Sequence, residues 1–209
     1  SGIHLSKIID DIFQLSLLES GELKVTQSDI QLIDLASKIK LSLDIESKNF
    51  DNKEIFMEFI PDKSNEELSI NIDGEKLYHI VMNILNNAFK FSKDVINIKY
   101  GYKVIVKENQ KHIQFFVQVM GIGIDQKYFN YIFEKFRQAE ESHTRKYEGA
   151  GIGLTISKKL TDLLGGTISI KSELGKGSTF FVDIPIKISK KLFVSEESTI
   201  TEDKINTLK

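Results

Sequence analysis

Apolar positions along the chain switch between a spacing of three to four and an alternation of two, and the switches divide it into elements. Leu5, Ile8, Ile12 and Leu15 recur three or four apart, which predicts a helix over residues 1–19 that Gly21 ends. Residues 22–28 read as a short strand, and Asp29 as the cap of a helix over 31–48. Residues 54–61 predict a strand, the polar stretch 61–68 (PDKSNEEL) a loop, and 68–72 a second strand. The most regular stretch is 74–92, where Leu77, Ile80, Val81, Ile84, Leu85 and Ala88 line one face of a buried helix. Strands over 95–107 and 112–119 follow, joined by a turn at Glu108, Asn109 and Gln110. Then come a short helix over 125–133, a polar loop over 137–149 and an amphipathic helix over 152–164 stopped by Gly165 and Gly166. Strands over 167–172 and 179–186, turned by Gly175 to Gly177, close the domain at Pro185. From Lys187 the charged, Ser/Thr-rich sequence predicts a linker or disordered end.

Two elements carry more than their own packing. On the 74–92 helix, Asn83, Asn87 and Lys90 fall at i, i+4 and i+7, a polar line away from the apolar face. Such a line either solvates an open surface or holds a ligand. Two downstream glycine clusters, Gly121 with Gly123 and Gly149 with Gly151 and Gly153, favour the ligand: placed at loop-to-helix junctions, they would offer bare N–H groups to phosphate. The first helix is the other. Ile9, Phe13 and Leu18 widen its apolar stripe beyond one contact, so it packs on a partner helix or subunit, or else folds back onto the domain.

Composition narrows the picture. With 209 residues, 41% hydrophobic and 28% charged, the chain supports one core and an appendage. A net charge of −2 gives no general attraction to nucleic acid or to an anionic membrane. The lack of cysteine excludes disulfides and thiolate metal sites. No apolar run approaches the roughly 20 residues of a membrane span, and the four histidines lack the spacing of a transition-metal site.

The motifs in order resemble the catalytic ATP-binding domain of sensor histidine kinases, in the fold group that includes Hsp90, DNA gyrase and MutL. Residues 73–92 are similar to the family's N box, 119–124 to its G1 box, 132–138 (IFEKFRQ) to its F box, 149–154 to its G2 box, and 165–185 to its closing hairpin. Residues 1–21 resemble the second helix of the dimerisation and phosphoacceptor region, 22–187 the catalytic domain, and 188–209 a charged tail or linker. The resemblance implies an α/β fold, a two-layer α/β sandwich of the Bergerat type with a mixed sheet of about five strands and helices on one face. It also implies a cytoplasmic fragment of a longer, hybrid kinase, a homodimer through the first helix and a response-regulator receiver domain as partner, with no nucleic acid and no membrane contact. Its cofactors would be ATP and Mg²⁺. Asn87 would give an amide oxygen to Mg²⁺ with Asn83 beside it, Lys90 would reach phosphate, and Phe91 would line the adenine pocket with Val119, Gly121, Gly123 and Ile124. Arg137 would approach the terminal phosphate, and the N–H groups around Gly149, Gly151, Gly153 and Leu154 would cradle the phosphates. Phe133 and Phe136 would also belong to the nucleotide site, although packing is the larger part of their role as of that of Phe91, and His79 is a candidate general base. None of the histidines fits the phosphoacceptor, which would lie on a helix outside this chain.

One position departs from the family pattern. Where the G1 box opens with aspartate, this chain has Val119. Valine accepts no hydrogen bond, an unpaired buried donor costs about 1–3 kcal/mol, and a site built around such a bond can lose roughly 10⁴-fold in discrimination. ATP binding is thus weakened or lost unless Val119 is compensated, and the alternative is a silent pseudokinase kept for dimerisation or docking. Ala150, where the family often has threonine, removes only a hydroxyl.

Overall fold

The computed structural model describes residues 2–50, 53–65, 68–92, 95–134 and 151–191. In chain order the elements are α1 (Gly2–Ser20), β1 (Ser28–Gln31), α2 (Leu32–Ser47), β2 (Glu54–Ile60), β3 (Leu68–Ile72), α3 (Gly74–Phe91), β4 (Val95–Lys107), β5 (Gln110–Val119), α4 (Gly153–Leu163), β6 (Thr167–Glu173), β7 (Gly177–Pro185) and β8 (Lys187–Lys191).

Five strands form a mixed sheet in the order β2-β4-β5-β7-β6, parallel at β2/β4 and antiparallel elsewhere. Alternation decides its two faces. Ile96, Ile98, Tyr100 and Tyr102 of β4, Ile113, Phe115 and Val117 of β5, and Phe180, Val182 and Ile184 of β7 point into the core. The expected face of α3 is buried with them and extends to Phe89. Each such side chain contributes about 1.5–3 kcal/mol of transfer free energy. The two-layer α/β sandwich is therefore as the sequence predicts. A two-residue turn joins β4 to β5 at Glu108 and Asn109, both at positive φ (49° and 63°), and Gln110 already pairs with Lys107.

A second sheet was not foreseen. β3 lies between β1 and β8, antiparallel to both. Residues 187–191 are thus a strand rather than the start of a linker. Ile188 packs against the core, and Ser189 donates a hydrogen bond to Asp29 at 2.7 Å. Asp29 is no helix cap: it lies in β1, accepts also from Asn71 at 2.6 Å, and these two bonds hold its carboxyl below the usual range. The helix after it starts at Leu32 without a side-chain cap. Residues 22–27 form no strand. Leu23 and Val25 are half-buried as alternation requires, but the Thr26 amide bonds to the Asp73 side chain, and ladder pairing begins only at Ser28 opposite Ile72. Over 125–133 the expected helix is a 3₁₀ turn, Gln126–Tyr128, followed by further turns, because Asp125 caps at Lys127 and closes a tight loop.

Helix α1 divides its contacts. Leu15 is buried, Leu18 packs on the core, and Glu19 pairs with Lys159 of α4 at 3.8 Å. Ile9, Ile12 and Phe13 stay exposed, Phe13 by 65%. Among the described side chains, folding back thus accounts for the last turns of α1.

Candidate functional site

The site grows from the crossing of α3 and α4. Asp73 caps α3, accepting from the Lys76 amide at 3.1 Å, and the helix then runs unbroken to Phe91. This straight run keeps His79, Asn83, Asn87 and Lys90 on one line. His79 is exposed and lies edge-on to Tyr78, with centroids 5.8 Å apart. Asn83 and Asn87 are half-buried, and Asn83 donates to the carbonyl of Gly153 at 3.4 Å. Lys90 is half-buried, with its ammonium 5.2 Å from the centre of the Phe91 ring, itself 41% exposed.

Helix α4 opens beside this line. Gly151 has φ +68°, and Ile152 in the N-cap position gives no side-chain hydrogen bond, so the first-turn N–H groups of α4 have no cap from that residue. A Cβ on Gly153 would meet Asn83 Cγ at 4.0 Å, which puts the α4 N-terminus against the polar face of α3. Amide side chains beside a helix end that its own N-cap residue does not cap are groups able to receive an anion and a cation carried with it. Leu154 packs against the core.

The first glycine cluster does something else. It leads into the 3₁₀ turn rather than into a helix N-terminus, and its glycines answer to sterics. A Cβ on Gly123, at φ +68°, would lie 2.0 Å from the carbonyl oxygen of Glu173, and one on Gly177 would lie 2.1 Å from that of Val119. These close approaches lock the 119–124 loop to the β6–β7 turn, helped by the Gly175 amide bonding Ile122 at 2.8 Å. Gly121 is less constrained, its Cβ position 3.7 Å from the Phe91 carbonyl. Ile124 packs on the core, and its amide bonds the Ser172 hydroxyl at 2.7 Å. Val119 is half-buried at the end of β5, directly opposite Ser178 of β7, whose hydroxyl is 2.8 Å from that of Ser172.

The structure thus brings Asn83, Asn87, Lys90 and Phe91 together on one helix, Gly151, Gly153 and Leu154 at the helix that crosses it, and Val119 to Ile124 in one loop. Phe133 packs against the core. Phe136, Arg137, Gly149 and the polar loop over 137–149 lie outside the described residues. The sequence reading passed over the Ser172 and Ser178 hydroxyls and Asn86, whose Oδ1 is buried without a hydrogen-bond partner. Strand register alone could have pointed to Ser178, two residues into the strand that pairs with β5.

Residues 72–188 match the family model described as histidine kinase-, DNA gyrase B-, and HSP90-like ATPase. The chain is 33% identical over 193 residues to hybrid signal transduction histidine kinase B of Dictyostelium discoideum, covering 90% of this chain and 9% of that protein. It is 34% identical over 189 residues to the autoinducer 2 sensor kinase/phosphatase LuxQ of Vibrio vulnificus, covering 90% and 22%. Both relatives are thus far longer than the stretch they share with it. Among solved structures, full-length ShkA in complex with AMPPNP superposes with a TM-score of 0.75 at 21% identity, over 90% of this chain and 37% of that one. Histidine kinase AdeS of Acinetobacter baumannii gives 0.64 at 17% identity, over 87% and 78%.

Proposed function

Because this chain belongs to the histidine kinase-, DNA gyrase B- and HSP90-like ATPase family, we propose that it is the catalytic part of a two-component histidine kinase that holds Mg·ATP where α3 crosses α4 and directs the terminal phosphoryl group to a histidine on a helix outside it. The observation that carries this reading is Asn83 against the N-terminus of α4: an amide-lined helix face meets a helix end whose N-cap residue provides no side-chain cap. Among the described residues there is no cluster of three acidic or histidine ligands, so a metal here would be held mainly by amide oxygen, water and the phosphates it accompanies, the coordination Mg²⁺ prefers.

In this reading Asn87 gives its amide oxygen to Mg²⁺, Asn83 lies beside it and ties the metal side to α4, Lys90 reaches phosphate, and the α4 amides from Gly153 onward receive phosphate oxygens. Phe91 and the 119–124 loop border the base. In the same reading Arg137 and the N–H groups around Gly149 would serve the phosphate side, and His79, one turn before Asn83, would take a proton. Bound Mg²⁺ neutralises phosphate charge; the chain's own part is orientation and fixed dipoles, which is most of what phosphoryl transfer asks of a protein. A receiver aspartate and a dimer through α1 complete the relay. The setting is cytoplasmic, and no helix among the described residues is long and apolar enough to cross a membrane.

Val119 supports a second reading. It puts an apolar side chain opposite Ser178, where the family carries a carboxylate, and a domain that fails to bind nucleotide for that reason would serve as a docking or dimerisation module. Calorimetric titration with AMPPNP and Mg²⁺ separates the two. Binding in the parent, strengthened roughly tenfold or more by Val119→Asp and abolished by Asn87→Ala, supports the kinase. Binding by Val119→Asp alone supports the silenced module, and no binding by either removes the nucleotide site.

A further inference from the structure

The segment between α1 and β1 is fastened to the helix that bears the polar line. Gly21, at φ +71°, turns the chain out of α1, the amides of Glu22 and Leu23 bond back to Leu17, and Leu23 packs on the core. Three residues on, the Thr26 amide donates to Asp73 Oδ2 at 2.8 Å. The other oxygen of this carboxylate, Oδ1, accepts from the Lys76 amide and caps α3, while the Lys76 ammonium pairs with Oδ2 at 2.6 Å. Asp73 is 3% exposed. A buried carboxylate that satisfies a linker amide and a helix end together cannot lose one bond without disturbing the other. At its far end the same linker is fixed by Leu15 in the core and by Glu19 on Lys159 of α4.

We infer that Asp73 is a positioning residue that transmits the placement of α1 to α3, so that a shift of α1 reaches both helices of the site, α4 by direct contact and α3 through Thr26 and Asp73. The bonds stand by themselves; only the consequence, control of where Asn83 and Asn87 sit relative to Gly153, rests on the nucleotide-site reading. An ordinary N-cap would need the carboxylate and Lys76 alone. The Thr26 amide is the additional partner, and it comes from sequence 47 residues away.

Hydrogen exchange on the whole chain without nucleotide tests the coupling, using a pair of substitutions of which one keeps the donor and the other lacks it. Thr26→Ala keeps the backbone N–H and Thr26→Pro removes it. Leu15→Ala, which loosens α1, is expected to speed exchange of the α3 amides of residues 76–78 roughly fivefold in the parent and in Thr26→Ala, and to leave it unchanged in Thr26→Pro. An equal response in the Ala and Pro backgrounds overturns the coupling, as does no response in the parent. Asp73→Ser, which keeps one capping oxygen for Lys76 and leaves none for Thr26, gives a second reading should Thr26→Pro fail to fold, with the same loss of response expected. A merely structural cap would alter basal exchange without altering its dependence on Leu15. Because nucleotide is absent, the result is independent of whether the site binds ATP.

Discussion

The side-chain amide of Asn83 lies 3.4 Å from the main-chain oxygen of Gly153, a bond that joins α3 to the first residue of α4 across 70 positions of sequence. The reason for glycine there is therefore not crowding. Among the described residues an added Cβ would meet Asn83 Cγ alone, at 4.0 Å, ordinary contact, whereas at Gly123 it would collide with a carbonyl oxygen in a left-handed backbone. Gly153→Ala is expected to leave thermal stability within about 1 kcal/mol of the parent, and Gly123→Ala to cost about 2 kcal/mol or more. Melting curves of the two variants check this, and equal losses would refute the steric account of the 119–124 loop.

Asp73 makes stability depend on acid. Burial alone would raise its carboxyl, but hydrogen bonds from Lys76 and from the Thr26 amide outweigh it, and the group sits below its ordinary value. A depressed folded-state value means that the stabilisation is present above the unfolded carboxylate range and is lost as pH falls through the folded value. In urea titrations, the deficit of Asp73→Asn against the parent should thus be largest near about pH 6 and shrink towards about pH 3. A deficit constant with pH would show that the charge contributes nothing.

Along α1, burial predicts unequal responses at positions two residues apart. Leu15→Ala should cost about 2–4 kcal/mol, and Phe13→Ser, at an exposed position, no more than about 0.5 kcal/mol. Denaturant unfolding of the isolated chain reads both. The Ile9, Ile12 and Phe13 surface is the part left for a partner helix, and a chain that carries the upstream helix and stays monomeric in sedimentation would count against that use.

Strand β8 shields the edge of β3, whose Leu68, Ile70 and Ile72 are all buried. Ending the chain at Ile186 should lower the melting temperature by roughly 5–10 °C, the effect of about 2–4 kcal/mol in a domain of this size. Ser189→Ala, which removes only the bond to Asp29, should cost about 0.5–1.5 kcal/mol. An unchanged melting temperature on truncation would mean that β8 adds nothing to the fold.

Legibility followed the range of the interactions. The α3 face, from Leu77 to Ala88, and the β5 and β7 alternation could be read directly, because one element's own periodicity reports its burial. The line of Asn83, Asn87 and Lys90 was visible for the same reason. What escaped depends on partners distant in sequence: the pairing of β8 with β3, Asp29 held by Asn71 and Ser189, and the Thr26 amide taken by Asp73 instead of a strand. Gly123 was visible as a glycine, but its cause, the oxygen of Glu173, lies 50 positions along the chain. At Val119 the residue type was legible, while the hydroxyl pair across from it emerged only from the register of β5 with β7.

The flanking of β3 by β1 and β8 has a consequence for how such a unit can be combined with others. The segment leading into the sheet and the segment leading out of it run along the two sides of one central strand, and Asp29 touches Ser189 across the gap. Because β1 and β8 both run antiparallel to β3, the chain enters β1 beside Ile72 and leaves β8 beside Leu68. Modules joined on the two sides would thus stand at opposite ends of that strand, and tension between them would shear its two neighbours along it instead of peeling them off bond by bond.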